Sequence, residues 1–431
     1  MTQELIDKCI ALIHREVVPA TGCTEPVAVA LAAAKASQVL ASDTVKGTVW
    51  LSANMLKNAM GVGIPGTGMI GLPIAIALGI VIAEPRKELS ILDDFSAEEF
   101  EKAKKIVADK RIDIKLKDGE EVDKLYIEIW LTDAENNQVK VIIQENHRNI
   151  CYVSRNGEEL LNTIGCSSEL RNKDNVDDLT LNFDLVYQFA MEAPLPQIEF
   201  IYEAAELNRK AAVYSLQHSF GHAVGAVVSG NIGKKYLGDS VLADMLTYTG
   251  AACDARMDGA PIAVMSNSGS GNQGITSTLP VWAFAQRENK SYEQTVRALA
   301  LSSLMVIYIK QKLGRLSALC GCVVASTGSS CGITYLMGGT KTQIAYAIKN
   351  MVGNITGMLC DGAKPSCSMK VSSSVSSALL SAMLAIENHS VTSNEGIVDE
   401  DVDKTIDNLT AIGRDSMTQT DRLVLNIMTH K

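Results

Sequence analysis

The sequence predicts an α+β protein: a mainly helical catalytic core with a smaller inserted α/β lobe that carries a β-meander. Three observations predict it. Apolar residues recur at helical spacing in residues 3–17 and again from about residue 177 to the end. Between residues 86 and 160 charges rise and apolar residues alternate with polar ones, the period of strands with one wet face. Gly, Ala and Ser are plentiful and aromatics are only 5%, a composition that suits helices packed closely through small side chains. The chain therefore divides into a helical N-terminal part (1–85), an inserted α+β lobe (86–175) and a helical domain (176–431).

With 431 residues, 47% of them apolar, the chain can bury a large core. A net charge of −10 argues against a nucleic-acid partner. The first eight residues, Met1 to Lys8, show no basic segment leading into an apolar run, so the protein is expected in the cytoplasm. There its ten cysteines are expected as thiols. Cys9, Cys151, Cys166 and Cys253 stand alone and read as small core residues. Two uncharged stretches, Asn58–Ala83 and Leu316–Thr340, exceed the about 20 residues that span a bilayer. The first is broken by Gly61, Pro65 and Pro73, the second is rich in Ser, Thr and Gly, and neither has aromatic belts or basic flanks. No membrane partner is expected.

Taken in order, Leu5, Cys9, Leu12, Ile13 and Val17 form a helical stripe closed by Pro19. Thr24 is a candidate N-cap for a helix running to about Leu40, with Glu25 and Pro26 in its first turn. Cys23 then sits just outside a helix N-terminus, where unpaired N–H groups favour a thiolate; a small turn residue is the plainer reading. Thr44–Leu51 reads as a strand. It leads through Asn54, Lys57 and Asn58 to a loop in which Gly61, Gly63 and Gly66 match G-x-G-x-x-G. Pro65 inside that turn weakens the match, although such a loop, with Thr67 at its end, can still offer N–H groups to an anion. Met69–Ala83 reads as a buried helix started or broken at Pro73, and Ala97–Ala108 as another helix. Ile112–Leu116, Leu125–Leu131 and Val139–Ile143 alternate as strands. Pro194, Pro196 and Pro280 mark boundaries among the later helices. Gly269, Gly271 and Gly274 again fit G-x-G-x-x-G, but no acidic residue closes a second strand about 20 residues on. A Ser/Asn/Gly nest for a small carboxylate, built from Ser266, Asn267, Ser268, Gly269, Ser270 and Asn272, fits this stretch better than a nicotinamide dinucleotide site. His218 and His222 share a face if helical and are either active-site or structural. Ser372–Ser377 reads as a helix start.

Five of the ten cysteines, Cys320, Cys322, Cys331, Cys360 and Cys367, fall in one stretch among glycines and serines. Thiolates with small neighbours can close around a soft cofactor, either zinc or an iron–sulfur cluster. A closed zinc site in a binding protein without chemistry is the reading from another class.

Together, Ala20–Pro26, Val62–Thr67, Ser266–Gly274, Cys320-Gly-Cys322 and Cys360–Cys367 make the chain resemble the iron–sulfur L-cysteine desulfidase family, relatives of the bacterial iron–sulfur L-serine dehydratase alpha chain. The resemblance spans nearly the whole chain. It implies a [4Fe–4S] cluster on Cys320, Cys360 and Cys367, with Cys322 and Cys331 as rival ligands, and a catalytic cysteine, here Cys23. The related dehydratases can cap the fourth iron with a C-terminal cysteine, but the tail Asn426–Lys431 has none, so that iron is expected to face water or substrate. The expected reaction is β-elimination from a small L-amino acid, L-cysteine first, with L-serine or L-threonine as the alternative. Cys23 is the expected base. Ser266–Gly274 together with Asn54, Lys57, Asn58 and Thr67 are expected to hold the carboxylate. Self-association into a homo-oligomer stays open.

Overall fold

A computed structural model describes every residue except 43, 44, 120, 165–178, 315 and 431. Cys166 and the expected boundary at 175/176 lie outside the described residues.

The first part alternates helices α1 (Gln3–Glu16), α2 (Thr24–Leu40), α3 (Ala53–Ala59), α4 (Leu72–Ile82) and α5 (Ala97–Ala108) with strands β1 (Pro19–Thr21), β2 (Lys46–Leu51), β3 (Gly63–Ile64) and β4 (Met69–Ile70). Strands β5 (Ile112–Leu116), β6 (Tyr126–Thr132), β7 (Gln138–Gln144), β8 (Ile150–Arg155) and β9 (Glu158–Asn162) follow. The remainder is helical: α6 (Phe183–Glu192), α7 (Leu195–Ile198), α8 (Ile201–Gln217), α9 (Val224–Ser229), α10 (Asn231–Leu237) and α11 (Val241–Met257). A short strand β10 (Ala263–Met265) comes next, then α12 (Gly271–Arg287), α13 (Tyr292–Leu313), α14 (Gly321–Leu336), α15 (Lys341–Ile355), α16 (Cys367–Ile386), α17 (Val402–Ala411) and α18 (Thr418–Thr429). The protein is α+β, as expected.

The main sheet has the order β5-β2-β6-β7-β8-β9, with β2 parallel to β5 and every other pair antiparallel. Register puts Val49 opposite Ile129 and Leu51 opposite Ile127, with Val141 and Ile143 continuing the same apolar face. Helix α2 covers that face, and α4 packs against α2. Their contact is close because the alanine-rich α2 meets Gly79 of α4: a Cβ on Gly79 would sit 2.2 Å from the Ala30 carbonyl oxygen. The lobe's apolar core accordingly draws on residues from Val27 to Val153 and, from α18, on Leu425. The packing therefore cuts across the expected 85/86 division, since α2, β2 and α4 belong with the sheet. Alternation shows that 46–51 is a strand, but not which strands it pairs with.

Helix α1 packs in the second, helical core, which takes up residues from Leu181 to Leu409. The chain thus crosses from one core to the other at residues 17–24, and β1 pins this crossing by pairing antiparallel with β10. Helix α13 lies at the centre of this core against α14. Three local expectations change. Pro280 lies inside α12 rather than at a boundary; an interior proline costs about 3 kcal/mol, which burial of most of this helix offsets. Ser372–Ser377 are interior to α16. His218 ends α8 and His222 sits in the following loop, so the two do not share a helix face. Among the described residues α16 is the one helix long and apolar enough to cross a membrane; it packs against α11, α14 and α15.

Candidate active site

A cavity of about 120 Å³ lies between the two cores. Four helix N-termini meet around it. Cys23 is the N-cap of α2, Ser270 of α12 and Cys320 of α14, and Cys367 is the first residue of α16. Each terminus brings unpaired N–H groups and a partial positive charge, so the cavity suits anions and thiolates. Cys23, Cys320, Cys322, Cys360 and Cys367 all line it.

Two short segments place the thiols. Residues 318–320 pair antiparallel with 358–360: Cys320 N donates to Met358 O (3.0 Å) and Cys360 N to Ala318 O (2.7 Å). This sets Cys320 and Cys360 side by side with their thiols in hydrogen-bond contact. Cys320, Cys360 and Cys367 all lie above the ordinary thiol range. Cys320 is raised chiefly by its hydrogen bond with Cys322, against a lowering by Cys360 and with burial adding to the rise; Cys360 is raised by its contact with Cys320 and by burial, and Cys367 mainly by burial. The Cys322 Sγ lies 3.2 Å from both Cys320 Sγ and Met358 Sδ. Asp361, beside Cys360, is tied to Lys364 and Lys370; these two cations overcome the effect of burial and bring its carboxyl down to about 2. Cys331 lies inside α14, does not line the cavity and donates to Thr327 O (3.2 Å).

On the opposite wall Cys23 Sγ donates to Glu25 Oε2 at 2.8 Å, and Asn58 Nδ2 donates to Glu25 Oε1 at 3.1 Å. Burial and the Glu25 charge push Cys23 well above the usual thiol value. Burial also works to raise Glu25, but His147, the Cys23 thiol and Arg256 outweigh it and hold the carboxyl below its usual range. The expected thiolate is therefore a thiol at rest, because burial and a neighbouring carboxylate outweigh the helix dipole. Thr24 does not cap α2; its hydroxyl donates to Gly269 O (3.2 Å).

The third wall is the 266–273 loop. Asn267 and Ser270 exchange both backbone hydrogen bonds at 3.1 Å around Ser268 (φ +50°) and Gly269 (φ +80°). Two positive-φ residues in a two-residue turn are the geometry of a tight hairpin. The turn carries Ser268, Gly269, Ser270, Asn272 and Gln273 to the cavity. Arg256, at the end of α11, lies behind it and is 3% exposed. Its guanidinium donates to Asn272 Oδ1 (3.0 Å) and leaves Nε buried without a hydrogen-bond partner. It makes no ion pair with any described carboxylate. Gly271 makes room for it, since a Cβ there would be 2.2 Å from Arg256 Nε.

A model of the serine dehydratase alpha chain family matches residues 86–426. The chain belongs to the serine dehydratase alpha chain family. It is 63% identical over 427 residues to a protein of Porphyromonas gingivalis, covering 98% of each chain. It is 62% identical over 426 residues to one of Parabacteroides distasonis, covering 98% of this chain and 97% of that one. Over 423 residues it is 53% identical to one of Bacteroides thetaiotaomicron, covering 98% and 97%. All three are named UPF0597 protein.

For a serine dehydratase alpha chain relative the implied cofactor is an iron–sulfur cluster, and the donors present fit one. Three thiols, Cys320, Cys360 and Cys367, share one cavity wall, and sulfur is the ligand that iron–sulfur chemistry requires. The fit lies in donor type and shared wall: among the described residues no three His, Cys, Asp or Glu side chains are already gathered as a metal cage.

Of the residues expected to bind substrate, Asn58, Ser268, Gly269, Ser270 and Asn272 line the cavity. Asn54, Lys57, Thr67, Ser266 and Asn267 do not. Asn54 and Lys57 are bound to Asp421, and Thr67 donates to Ile64 O. Ser266 donates to Val18 O and Asn267 to Ser303 O. His218 and His222 do not line the cavity either. Glu25, His147 and Arg256 also line it without a sequence expectation, and Gln273, inside the expected Ser266–Gly274 stretch, joins them. An acid two residues from a candidate catalytic cysteine, and an arginine ending an apolar helix, were available signals for the first and third.

Proposed function

We propose that the protein catalyses β-elimination from a small L-amino acid, L-cysteine first, giving pyruvate, ammonia and sulfide. Family membership supports a dehydratase-like lyase. The observation that carries the reading is the meeting of Cys23 with Glu25, the Cys320, Cys360 and Cys367 thiols and the unpaired Arg256 guanidinium around one small cavity.

Arg256 and the turn Ser268–Ser270 bind the substrate carboxylate. A buried guanidinium that bonds no carboxylate directly is costly, and a substrate carboxylate offsets that cost through charge-assisted hydrogen bonds. Cys23 Sγ takes the Cα proton while its own proton passes to Glu25 Oε2. The electrons of the Cα–H bond form the Cα=Cβ bond, and the Cβ–S bond breaks with departure of hydrosulfide. A [4Fe–4S] cluster held by Cys320, Cys360 and Cys367 supplies, when bound, an open iron that polarises the departing atom as a Lewis acid. Glu25 returns its proton through Cys23 to the leaving sulfur. The released 2-aminoacrylate tautomerises and hydrolyses to pyruvate and ammonia.

The second reading is elimination of water from L-serine or L-threonine by the same residues, favoured by the family's own description. The substrates differ in one leaving atom or a methyl group. An anaerobic assay with L-cysteine and L-serine in parallel tests the proposal. Sulfide and pyruvate in equal amounts from L-cysteine, lost in Cys23→Ala, support it; pyruvate from L-serine alone transfers the role to the second reading, and no product from either rejects both.

A further inference from the structure

We propose that Lys57 and Asp421 are positioning residues for Cys360, locking the C-terminal helix α18 onto the loop that presents this thiol. The inference rests on the reading of Cys360 as a cluster ligand.

Lys57 is fully buried in α3, and its ammonium donates both to the Asp421 carboxylate and to the Cys360 carbonyl oxygen, the latter at 3.2 Å. Asp421, 4% exposed on α18, also accepts from Asn54 Nδ2 at 2.9 Å. The loop lies directly on α3: Gly362 has φ +90°, and a Cβ there would be 2.3 Å from the Lys57 carbonyl oxygen. One turn beyond Asp421, Leu425 is buried in the core of the α/β lobe, so α18 is held at two points. The residue after Lys57, Asn58, donates to Glu25. A single turn of α3 therefore sets the Cys360 loop with one side chain and the Glu25–Cys23 pair with the next.

Adhesion alone does not require this chemistry. Burying a lysine and an aspartate costs desolvation that their attraction rarely exceeds, and an apolar pair of similar volume would hold α18 at least as well. What an apolar pair cannot do is donate a hydrogen bond to the Cys360 carbonyl and fix the direction of the adjoining thiol. The pair places that donor, and α18 keeps it in place.

The test measures iron per chain, the visible absorbance band and the thermal midpoint of anaerobically reconstituted full-length protein. Asp421→Asn is expected to lose iron several-fold or shift the band, and Asp421→Glu to recover near the wild-type level. Lys57→Met/Asp421→Leu, which removes the buried charges together, is expected to match or exceed the wild-type midpoint while its iron stays low. Wild-type iron and band in that double variant would overturn the pair's role, provided Cys360→Ala has lost its iron. Wild-type iron in Cys360→Ala would overturn the ligand reading itself, and this inference with it.

Discussion

Cys23 Sγ lies 2.8 Å from Glu25 Oε2, and the proton between them stays on sulfur at rest. The thiol is buried beside a negative charge, whereas the carboxylate has His147 and Arg256 nearby and a donor in Asn58. In the proposed elimination Cys23 is one half of a pair: it accepts a proton from carbon only as it gives one to Glu25.

Glu25→Gln should keep the cavity's shape and remove the acceptor. Loss of a positioned acid or base costs about 10²- to 10⁴-fold in rate. We expect kcat to fall by that order with iron content unchanged, measured by product release beside metal analysis. Full activity in this variant would show that Cys23 needs no partner.

The same carboxyl makes stability depend on pH. Its folded pKa lies below the ordinary 4.5, so the unfolded chain takes up the proton first as the medium is acidified. The contribution is complete above 4.5 and is lost as pH falls through the folded value. Thermal melting should show the wild type losing more midpoint than Glu25→Gln between about pH 6 and about pH 3. Parallel curves would contradict a depressed Glu25. His147→Gln removes one cause of the depression, so the acid limb of the wild-type kcat/KM profile should move to higher pH in that variant.

Arg256 is assigned to the substrate carboxylate because its guanidinium forms no direct ion pair among the described residues and its Nε has no hydrogen-bond partner. Hydrogen bonds to charged groups contribute about 1.5–3 kcal/mol, so Arg256→Gln should raise KM about 10- to 100-fold. Gly271→Ala should act in the same direction without removing a polar group, because its methyl group meets Arg256 Nε. Steady-state kinetics decides this; an unchanged KM in both variants would place the carboxylate elsewhere.

The parts of the site legible in the sequence were those carried by unusual local chemistry. Thiols among glycines at 320–367 and a cysteine before a helix start at Cys23 stand out because few structural roles require them. The turn at Ser268-Gly269 was legible for the same reason. Lys57 and Asn54 were misplaced because a polar residue beside a glycine loop looks like an anion site until Asp421, more than 360 positions away, is brought against it. Arg256 was passed over because its meaning is the lack of a carboxylate partner, which depends on the fold around it. His147 reaches the cavity from the β7–β8 connection of the other lobe, and nothing in its local sequence points there. The meander was readable from alternation, but the insertion of β2 between β5 and β6 was not, because period-2 patterning identifies strands and leaves their partners open.

Cluster ligation also divides the five clustered cysteines. Cys331 donates to a backbone carbonyl inside α14, so Cys331→Ala should leave iron content and colour at the wild-type level. Cys322 lines the cavity beside Cys320, and Cys322→Ala should keep most of the iron because the three proposed ligands remain.

The most direct measurement is iron and acid-labile sulfide per chain after anaerobic reconstitution, for the wild type and for Cys320→Ala, Cys360→Ala, Cys367→Ala and Cys23→Ala. A [4Fe–4S] cluster on Cys320, Cys360 and Cys367 gives about four irons with matching sulfide in the wild type and in Cys23→Ala, and loss of both in the other three. A colourless wild type holding a single zinc on the same cysteines, or full iron in all three ligand variants, would contradict it.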